Sequence, residues 1–141
     1  MRFWKLFVLL ALLSVFIAAC GGTSDKNQPP VIDESIVGVA ARGEKLYKQT
    51  VIGAGSAPGC VTCHSLAEGV VLAGPSHAAV GLATESAVPG TSAEAYLRES
   101  LINPDAHIVD GFTSGVMYAN YAKELSGQEI ADLVAFMLSL R

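Results

Sequence analysis

Two cysteines and a histidine lie close together in the run Cys60-Val61-Thr62-Cys63-His64. This spacing places two thiols one helical turn apart, so both can reach the vinyl groups on one side of a porphyrin, and the adjacent histidine can present a nitrogen to the iron. A thioredoxin-like redox pair would need a βαβ pattern and a structural zinc site a second ligand pair; the chain shows neither. The motif therefore predicts one covalently attached haem c, bound by Cys60 and Cys63, with His64 as an iron ligand.

The second axial ligand of such an iron has to come from another part of the chain. Of the three methionines, Met1 belongs to a targeting segment, and Met137 falls in phase with the apolar face of the last predicted helix. Met117 lies instead in an irregular, glycine-flanked segment, where a side chain can approach a haem without the constraints of a helix. We therefore predict Met117 as the second ligand, since His/Met ligation is the pattern in c-type electron carriers.

Two histidines compete with Met117 for this position. His77 and His107 are the other imidazoles of the chain, although such histidines are more often hydrogen-bonding or surface residues than ligands. The ligand decides the function, because a thioether stabilises ferrous iron and raises the potential, whereas a second histidine lowers it. An open position would instead favour a haem peroxidase or a gas-binding sensor.

The N-terminus has the pattern of an export signal. Arg2 and Lys5 precede an apolar run from Leu6 to Ala19, which is followed by Cys20. This ending resembles the lipobox of bacterial lipoproteins, in which the cysteine is lipidated and becomes the mature N-terminus. An ordinary secretory signal and an uncleaved anchor are the alternatives, but about 14 apolar residues fall short of the roughly 20 that a membrane span needs.

This signal divides the chain of 141 residues into three parts. We expect a lipoprotein signal peptide at 1–19, a lipid-anchored flexible linker of small and polar residues at 20–35 and a single domain at 36–141. Without the two basic residues of the signal, seven Lys and Arg remain against 13 Asp and Glu, a net charge of −6. This balance predicts no nucleic-acid binding, and it favours a basic docking surface on a protein partner.

Three segments have the periodicity of amphipathic helices. The first is expected over about 36–49, where an apolar stripe recurs at helical spacing: Val39, Gly43, Leu46 and Tyr47. Glycine is costly within a helix, so Gly43 indicates a close approach to another element. A loop of small residues, 53–59, then leads into the cysteine motif.

The other two helices carry capping signals. Thr91 with Glu94 predicts a capping box for a second helix that ends just before Pro104. Ser126 with Glu129 predicts another capping box for the last helix, which has one apolar face formed by Ile130, Leu133, Val134, Met137 and Leu138. Because no alternating strand pattern of useful length occurs, we predict an all-α fold with about three to four helices around one haem.

Taken together, these residues resemble the class I cytochrome c family over roughly 39–140. Gly43 and Tyr47 resemble the positions at which the N-terminal helix of that family crosses its C-terminal helix. Leu133 and Phe136 resemble the other side of this crossing. The resemblance implies the family's fold, with the two terminal helices packed against each other.

A Gly-Pro pair at Pro75 resembles the family's proline whose carbonyl accepts a hydrogen bond from the ligating histidine. The resemblance implies that Pro75 orients His64 and fixes its tautomer. The stretches 96–104, 111–112 and 116–117 are similar to cytochrome c domains of haem-copper oxidase subunit II and to cytochrome subunits of alternative complex III. This similarity implies that Tyr96 and Arg98 reach the haem edge or a propionate, with a solvated Arg98 as the alternative.

Two positions depart from the family pattern. The family's ligand methionine usually precedes proline, whereas Tyr118 follows Met117 here, so the loop is expected to be less rigid. His77 stands where the family has an apolar residue, two positions after the Gly-Pro pair. A titratable group is therefore expected near the haem, which keeps His77 open as an alternative ligand.

The resemblance implies a non-enzymatic electron carrier in a respiratory or photosynthetic chain, and the lipobox pattern at Cys20 predicts that it is tethered at the outer face of the cytoplasmic membrane. Its expected partners are a redox donor and a redox acceptor, either of which can belong to a multisubunit membrane complex, and the membrane itself through the Cys20 lipid. A peroxidase or gas sensor with an open iron position is the alternative, and a structural subunit whose haem wires a larger complex is a third.

Overall fold

The computed structural model describes residues 35–141, so the expected signal peptide and nearly all of the expected linker lie outside the described residues. Within that range the chain is mostly helical, as predicted. The α-helices, in chain order, are α1 (Ala40–Tyr47), α2 (Val80–Ala83), α3 (Ala93–Ile102), α4 (Tyr121–Glu124) and α5 (Gly127–Ser139). Two 3₁₀ turns, Cys60–Thr62 and Thr84–Ser86, and two short strands, β1 (Val51–Ile52) and β2 (Ala57–Pro58), complete the described elements.

The helix count exceeds the three to four expected. The two additional helices, α2 and α4, have four residues each, which is too short to produce a periodic apolar pattern. The segment expected as a loop at 53–59 also differs in part, because β2 pairs antiparallel with β1 in a minimal hairpin. None of the described helices is long and apolar enough to cross a membrane.

Helices α1 and α5 cross closely at Gly43, as the glycine predicted. A Cβ atom at Gly43 would collide with the carbonyl group of Asp132 in α5. One turn further along α1, the Tyr47 ring packs edge-on against Phe136, with 5.2 Å between ring centroids. Tyr47 and Leu133 are completely buried there. The absent side chain at Gly43 therefore allows the contact that forms the centre of the core.

The predicted start of the first helix at Ile36 is wrong. Helix α1 begins at Ala40, and Val39 before it is extended, with φ −114° and ψ 108°. Gly38 lies so close to the Ala131 carbonyl that a Cβ atom would collide with it. The backbone before α1 thus follows the surface of α5 instead of continuing the helix.

A buried carboxylate stabilises this crossing, and no pattern in the sequence predicts it. Asp132 accepts hydrogen bonds from the Val39 backbone N–H (2.7 Å), from Arg42 Nε (2.7 Å) and Nη2 (2.9 Å), and from Gln128 Nε2 (2.9 Å). The hydrogen bonds and the positive charge of Arg42 lower the pKa of Asp132, outweighing the opposing effect of burial. The carboxylate therefore joins the extended entry, α1 and α5 in one ionic contact.

The capping prediction for α5 is confirmed, and the one for α3 is wrong. At α5, the Ser126 hydroxyl accepts from the Glu129 N–H while the Glu129 carboxylate accepts from the Ser126 N–H. At α3, the N-cap is Ser92, which accepts from the Ala95 N–H at 3.2 Å. The expected cap, Thr91, lies one residue outside the helix, so it cannot form a capping box.

Candidate functional site

The cysteine motif folds as a tight turn directly after the β-hairpin. The Cys60 carbonyl accepts a hydrogen bond from the His64 N–H at 2.8 Å, and the Thr62 hydroxyl donates to the Gly59 carbonyl at 2.6 Å. Both cysteines are free thiols; Cys60 is buried and Cys63 is half-buried. Burial raises the pKa of the Cys60 thiol to about 12. The turn thus holds two unpaired thiols and the His64 ring on one short segment.

The His64 ring has a defined tautomer. Its Nδ1 lies 2.9 Å from the Pro75 carbonyl oxygen. Because a carbonyl can only accept, Nδ1 carries the proton and Nε2 keeps its lone pair. Burial lowers the pKa of His64, partly opposed by the bond to Pro75, so the ring is neutral and can bind a metal through Nε2. The bond expected from the Gly-Pro pair is present; its role at a haem stays a prediction.

Gly74 allows the segment before Pro75 to pass directly over this ring. A Cβ atom at Gly74 would collide with the His64 imidazole. The Gly74 N–H also donates to the Cys63 carbonyl at 2.9 Å, which ties the Gly-Pro pair to the cysteine turn. Any side chain at this glycine would displace the imidazole.

His77 lies against His64, on the same side of the site. The two imidazole rings stack with 3.9 Å between centroids and 20° between planes. A hydrogen bond of 3.0 Å joins His77 Nδ1 to the hydroxyl of Tyr47. Burial and the neighbouring His64 lower the pKa of His77 to about 3. The sequence predicts a titratable residue near the haem. In the structure this residue, His77, is a neutral ring packed face to face with the predicted ligand His64.

The other predicted competitor, His107, makes its contacts elsewhere. Its Nε2 lies 3.4 Å from a Glu99 carboxylate oxygen, and its ring lies roughly parallel to that of Tyr96 with 6.0 Å between centroids. Arg98 pairs with Glu94 at 3.2 Å, one turn earlier in α3. The expected contacts of Tyr96 and Arg98 with a haem stay predictions.

Met117 lies in an irregular segment, as predicted, and is partly buried against the same hydrophobic cluster that contains Cys60. Two residues earlier, Gly115 has φ +79°, a conformation that favours glycine. The Gly115 N–H donates to the Asp105 carboxylate at 2.9 Å, which closes this segment into a compact loop. The loop therefore presents Met117 toward the core while leaving its neighbour Val116 exposed.

The position after Met117, where the family usually has proline, is held by contacts that the sequence did not predict. The Tyr118 hydroxyl donates to the Glu124 carboxylate at 3.5 Å, and Ser56 of the hairpin donates to the same oxygen. The Tyr118 ring packs edge-on against Tyr121, with 5.1 Å between centroids. Tyr121 in turn donates to the Pro58 carbonyl at 2.8 Å. These contacts tie the Met117 loop to the segment just before the cysteine motif.

Comparison with known proteins agrees with this geometry. The family model described as cytochrome c matches residues 40–141. The chain therefore belongs to the cytochrome c family, and it is a haem-based electron carrier. The comparison with curated proteins found no match.

Membership in this family implies a covalently bound c-type haem, and the residues of the site fit that group. Cys60 and Cys63 are unpaired thiols with two residues between them. His64 has its Nε2 lone pair available, because its Nδ1 is bound to Pro75. Two thiols that could take the vinyl groups and one imidazole that could bind the iron therefore lie together on the cysteine turn; their roles at the haem stay predictions.

Proposed function

We propose that this protein is a one-electron carrier in a respiratory or photosynthetic chain, with a His/Met-ligated haem c, tethered by lipid outside the cytoplasm. The observation that carries this proposal is the His64–Pro75 hydrogen bond. This bond leaves the lone pair on His64 Nε2 and fixes the direction in which that nitrogen points. A histidine that binds an iron needs both features. The tether and the place in a chain rest on the predicted lipobox at Cys20.

In this proposal Cys60 and Cys63 would hold the porphyrin through thioether bonds, and His64 and Met117 would bind its iron. The bound haem supplies a reversible couple between ferrous and ferric iron. The chain's own residues contribute a fixed ligand geometry, since the Pro75 carbonyl directs His64 and the Gly115 turn closes the loop that presents Met117. Ligands held rigidly in both oxidation states suit electron transfer better than bond-making chemistry.

The contacts of the two competing histidines support Met117 as the second ligand. The His77 ring is stacked face to face on the His64 ring, so His77 packs beside the proposed ligand and does not face its Nε2. His77 Nδ1 is also bound to Tyr47. His107 pairs with Glu99, on an exposed surface. Met117 is the remaining candidate that packs toward the core.

Charge supports a basic redox partner. Between Lys48 and Lys123 the only basic residue is Arg98, and its side chain pairs with Glu94. All segments that carry the proposed haem-binding residues fall in this range, and their other charges are acidic: Glu68, Glu85, Glu99, Asp105 and Asp110. A partner with Lys and Arg around its docking site would be attracted, and association should slow as ionic strength rises.

The ligand assignment is tested with the far-red sulfur-to-iron charge-transfer band of the ferric protein. The wild type should show this band, and Met117→Ala should abolish it. Met137→Leu is the matched control, because Met137 is buried in α5 and its loss should leave the band unchanged. Absence of the band in the wild type, or its survival in Met117→Ala, would refute the assignment. Rapid binding of carbon monoxide by the untreated ferrous wild type would favour a sensor or peroxidase instead.

A further inference from the structure

Three rings from different parts of the chain lie in contact behind the cysteine turn. Tyr47 of α1 is completely buried and packs edge-on against Phe136. Its hydroxyl forms a 3.0 Å hydrogen bond with His77, and the His77 ring stacks on His64 at 3.9 Å. A continuous contact therefore runs from the helix crossing to the proposed iron ligand.

His77 is held at both its backbone and its side chain. Its N–H donates to the Ser65 carbonyl at 2.8 Å, which fixes its position beside the cysteine turn. Its Nδ1 is fixed by the Tyr47 hydroxyl, and Tyr47 cannot turn away because it is enclosed in the core. Rotation of the His77 ring would leave a buried hydroxyl without a partner, which costs free energy.

The Pro75 bond alone does not fix the plane of the His64 ring. A hydrogen bond to Nδ1 sets the direction in which that nitrogen points, but its energy depends weakly on a tilt of the ring about the N–H···O axis. A flat ring packed parallel at 3.9 Å opposes such a tilt, because tilting brings atoms of the two rings into collision. The face of His77 therefore supplies the restraint that Pro75 does not.

We propose that His77 is a positioning residue for His64: its ring, anchored by the Tyr47 hydroxyl, fixes the plane of the His64 imidazole. The inference rests on the proposed function, since it treats His64 as the iron ligand. It gives a purpose to a polar residue where the family has an apolar one. An aliphatic side chain fills space against the ligand, whereas a flat ring with an anchored nitrogen also sets its orientation.

The test measures the orientation of the ligand ring in the ferric haem-bound protein. The electron paramagnetic resonance g values and the spread of the haem methyl proton shifts both depend on the planes of the axial ligands. His77→Leu, which removes the flat ring, should shift and broaden the largest g value and change the methyl spread. His77→Phe, which keeps a flat ring, should restore signals close to those of the wild type. Tyr47→Phe, which removes one oxygen atom, should give a smaller change in the same direction.

Tyr121→Phe is the matched control. It also removes a hydrogen-bonded hydroxyl from a buried tyrosine, but one that donates to Pro58 and not to His77. Its g values and methyl shifts should equal those of the wild type, even if both tyrosine variants lose similar stability in denaturant. This separates a general loss of packing from a change at His64.

Wild-type g values and methyl shifts in His77→Leu would overturn the inference, as would equal effects of His77→Leu and His77→Phe. If His77→Leu does not accumulate in folded form, Tyr47→Phe against Tyr121→Phe decides the question alone. The two proposals fail separately. A wild type without the far-red band refutes Met117 as ligand, whereas a normal band with unchanged signals in His77→Leu refutes only the positioning role of His77.

Discussion

The buried carboxylate of Asp132 should be the strongest single polar contributor to the α1–α5 crossing. Asp132→Ala removes the acceptor of the Val39 N–H, of Gln128 and of both Arg42 nitrogens. Arg42 is more than half exposed, with 55% of its side-chain surface accessible, so water can replace its lost partner and its own contribution is small. The cost should therefore come mainly from the backbone N–H of Val39.

A buried backbone donor left without a partner costs about 1–3 kcal/mol, and the lower part of this range applies here because Val39 is exposed and its bond to Asp132 is only partly buried. Alanine is the better helix former by up to about 0.7 kcal/mol, which offsets part of this loss within α5. We therefore expect Asp132→Ala to lower the free energy of unfolding by about 1 kcal/mol, measured by denaturant titration of the holoprotein. Glu44→Gln is the control, since Glu44 forms only an exposed pair with Lys48, and its loss should cost less than about 0.5 kcal/mol.

The same carboxylate predicts a dependence on pH with a definite sign. The pKa of Asp132 in the folded protein lies below its ordinary value of 3.8, so the unfolded chain takes up the proton first as pH falls. The stabilisation by the ionised carboxylate is thus complete well above 3.8 and is lost as pH falls through the folded pKa. Asp132→Asn cannot titrate there. Its stability deficit should be constant from about pH 7 to pH 5 and should shrink below about pH 4; a deficit unchanged at pH 3 would refute this account.

Two further predictions concern the crossing and the tether. Gly43→Ala should lower the free energy of unfolding by about 1–3 kcal/mol in denaturant, because the new methyl group meets the backbone carbonyl of Asp132. Gly127→Ala is the control and should cost far less, because its methyl group meets only the flexible end of Ile36 at 3.2 Å. Equal costs of the two variants would contradict the close approach of α1 and α5 at Gly43. Cys20→Ser should move the protein from the membrane to the soluble fraction in immunoblots of fractionated cells, because it removes the predicted lipid attachment site. A variant that stays with the membrane would contradict the predicted lipid anchor.

The end of a helix is predictable from the sequence where neighbouring residues determine it. It is harder to predict where contacts with distant parts of the chain determine it. The Ser126 capping box depends on residues three apart and was therefore visible in the sequence. Thr91 and Ser92 are both good caps, and the choice between them depends on backbone geometry that the pattern Thr91–Glu94 does not contain. The start of α1 differs from the prediction because Val39 is held extended by a hydrogen bond to Asp132, 93 positions away.

The residues of the site also differ in how well the sequence predicts them. Cys60, Cys63 and His64 are predictable because their chemistry depends on spacing along the chain, and Pro75 is predicted through the family resemblance. The contact of Tyr47 with His77 has no such signal, because a buried tyrosine in an apolar stripe has the same pattern whether its hydroxyl meets a histidine or a backbone carbonyl. Long-range hydrogen bonds between side chains leave no periodic pattern along the chain, so they are the hardest of these contacts to predict from sequence.

These long-range contacts also connect the fold to the site. Tyr47 belongs to the helix that Asp132 fixes, one turn beyond the Gly43 crossing, and its hydroxyl reaches His77. Asp132 itself acts on the far side of that crossing, at Val39 and Arg42. Loss of the carboxylate should therefore weaken the anchoring of α1 without moving the Tyr47 hydroxyl, because the edge-on contact of its ring with the core stays in place. The stability of the α1–α5 crossing thus depends on Asp132 in α5, whereas the proposed restraint on the His64 ring depends on Tyr47 in α1.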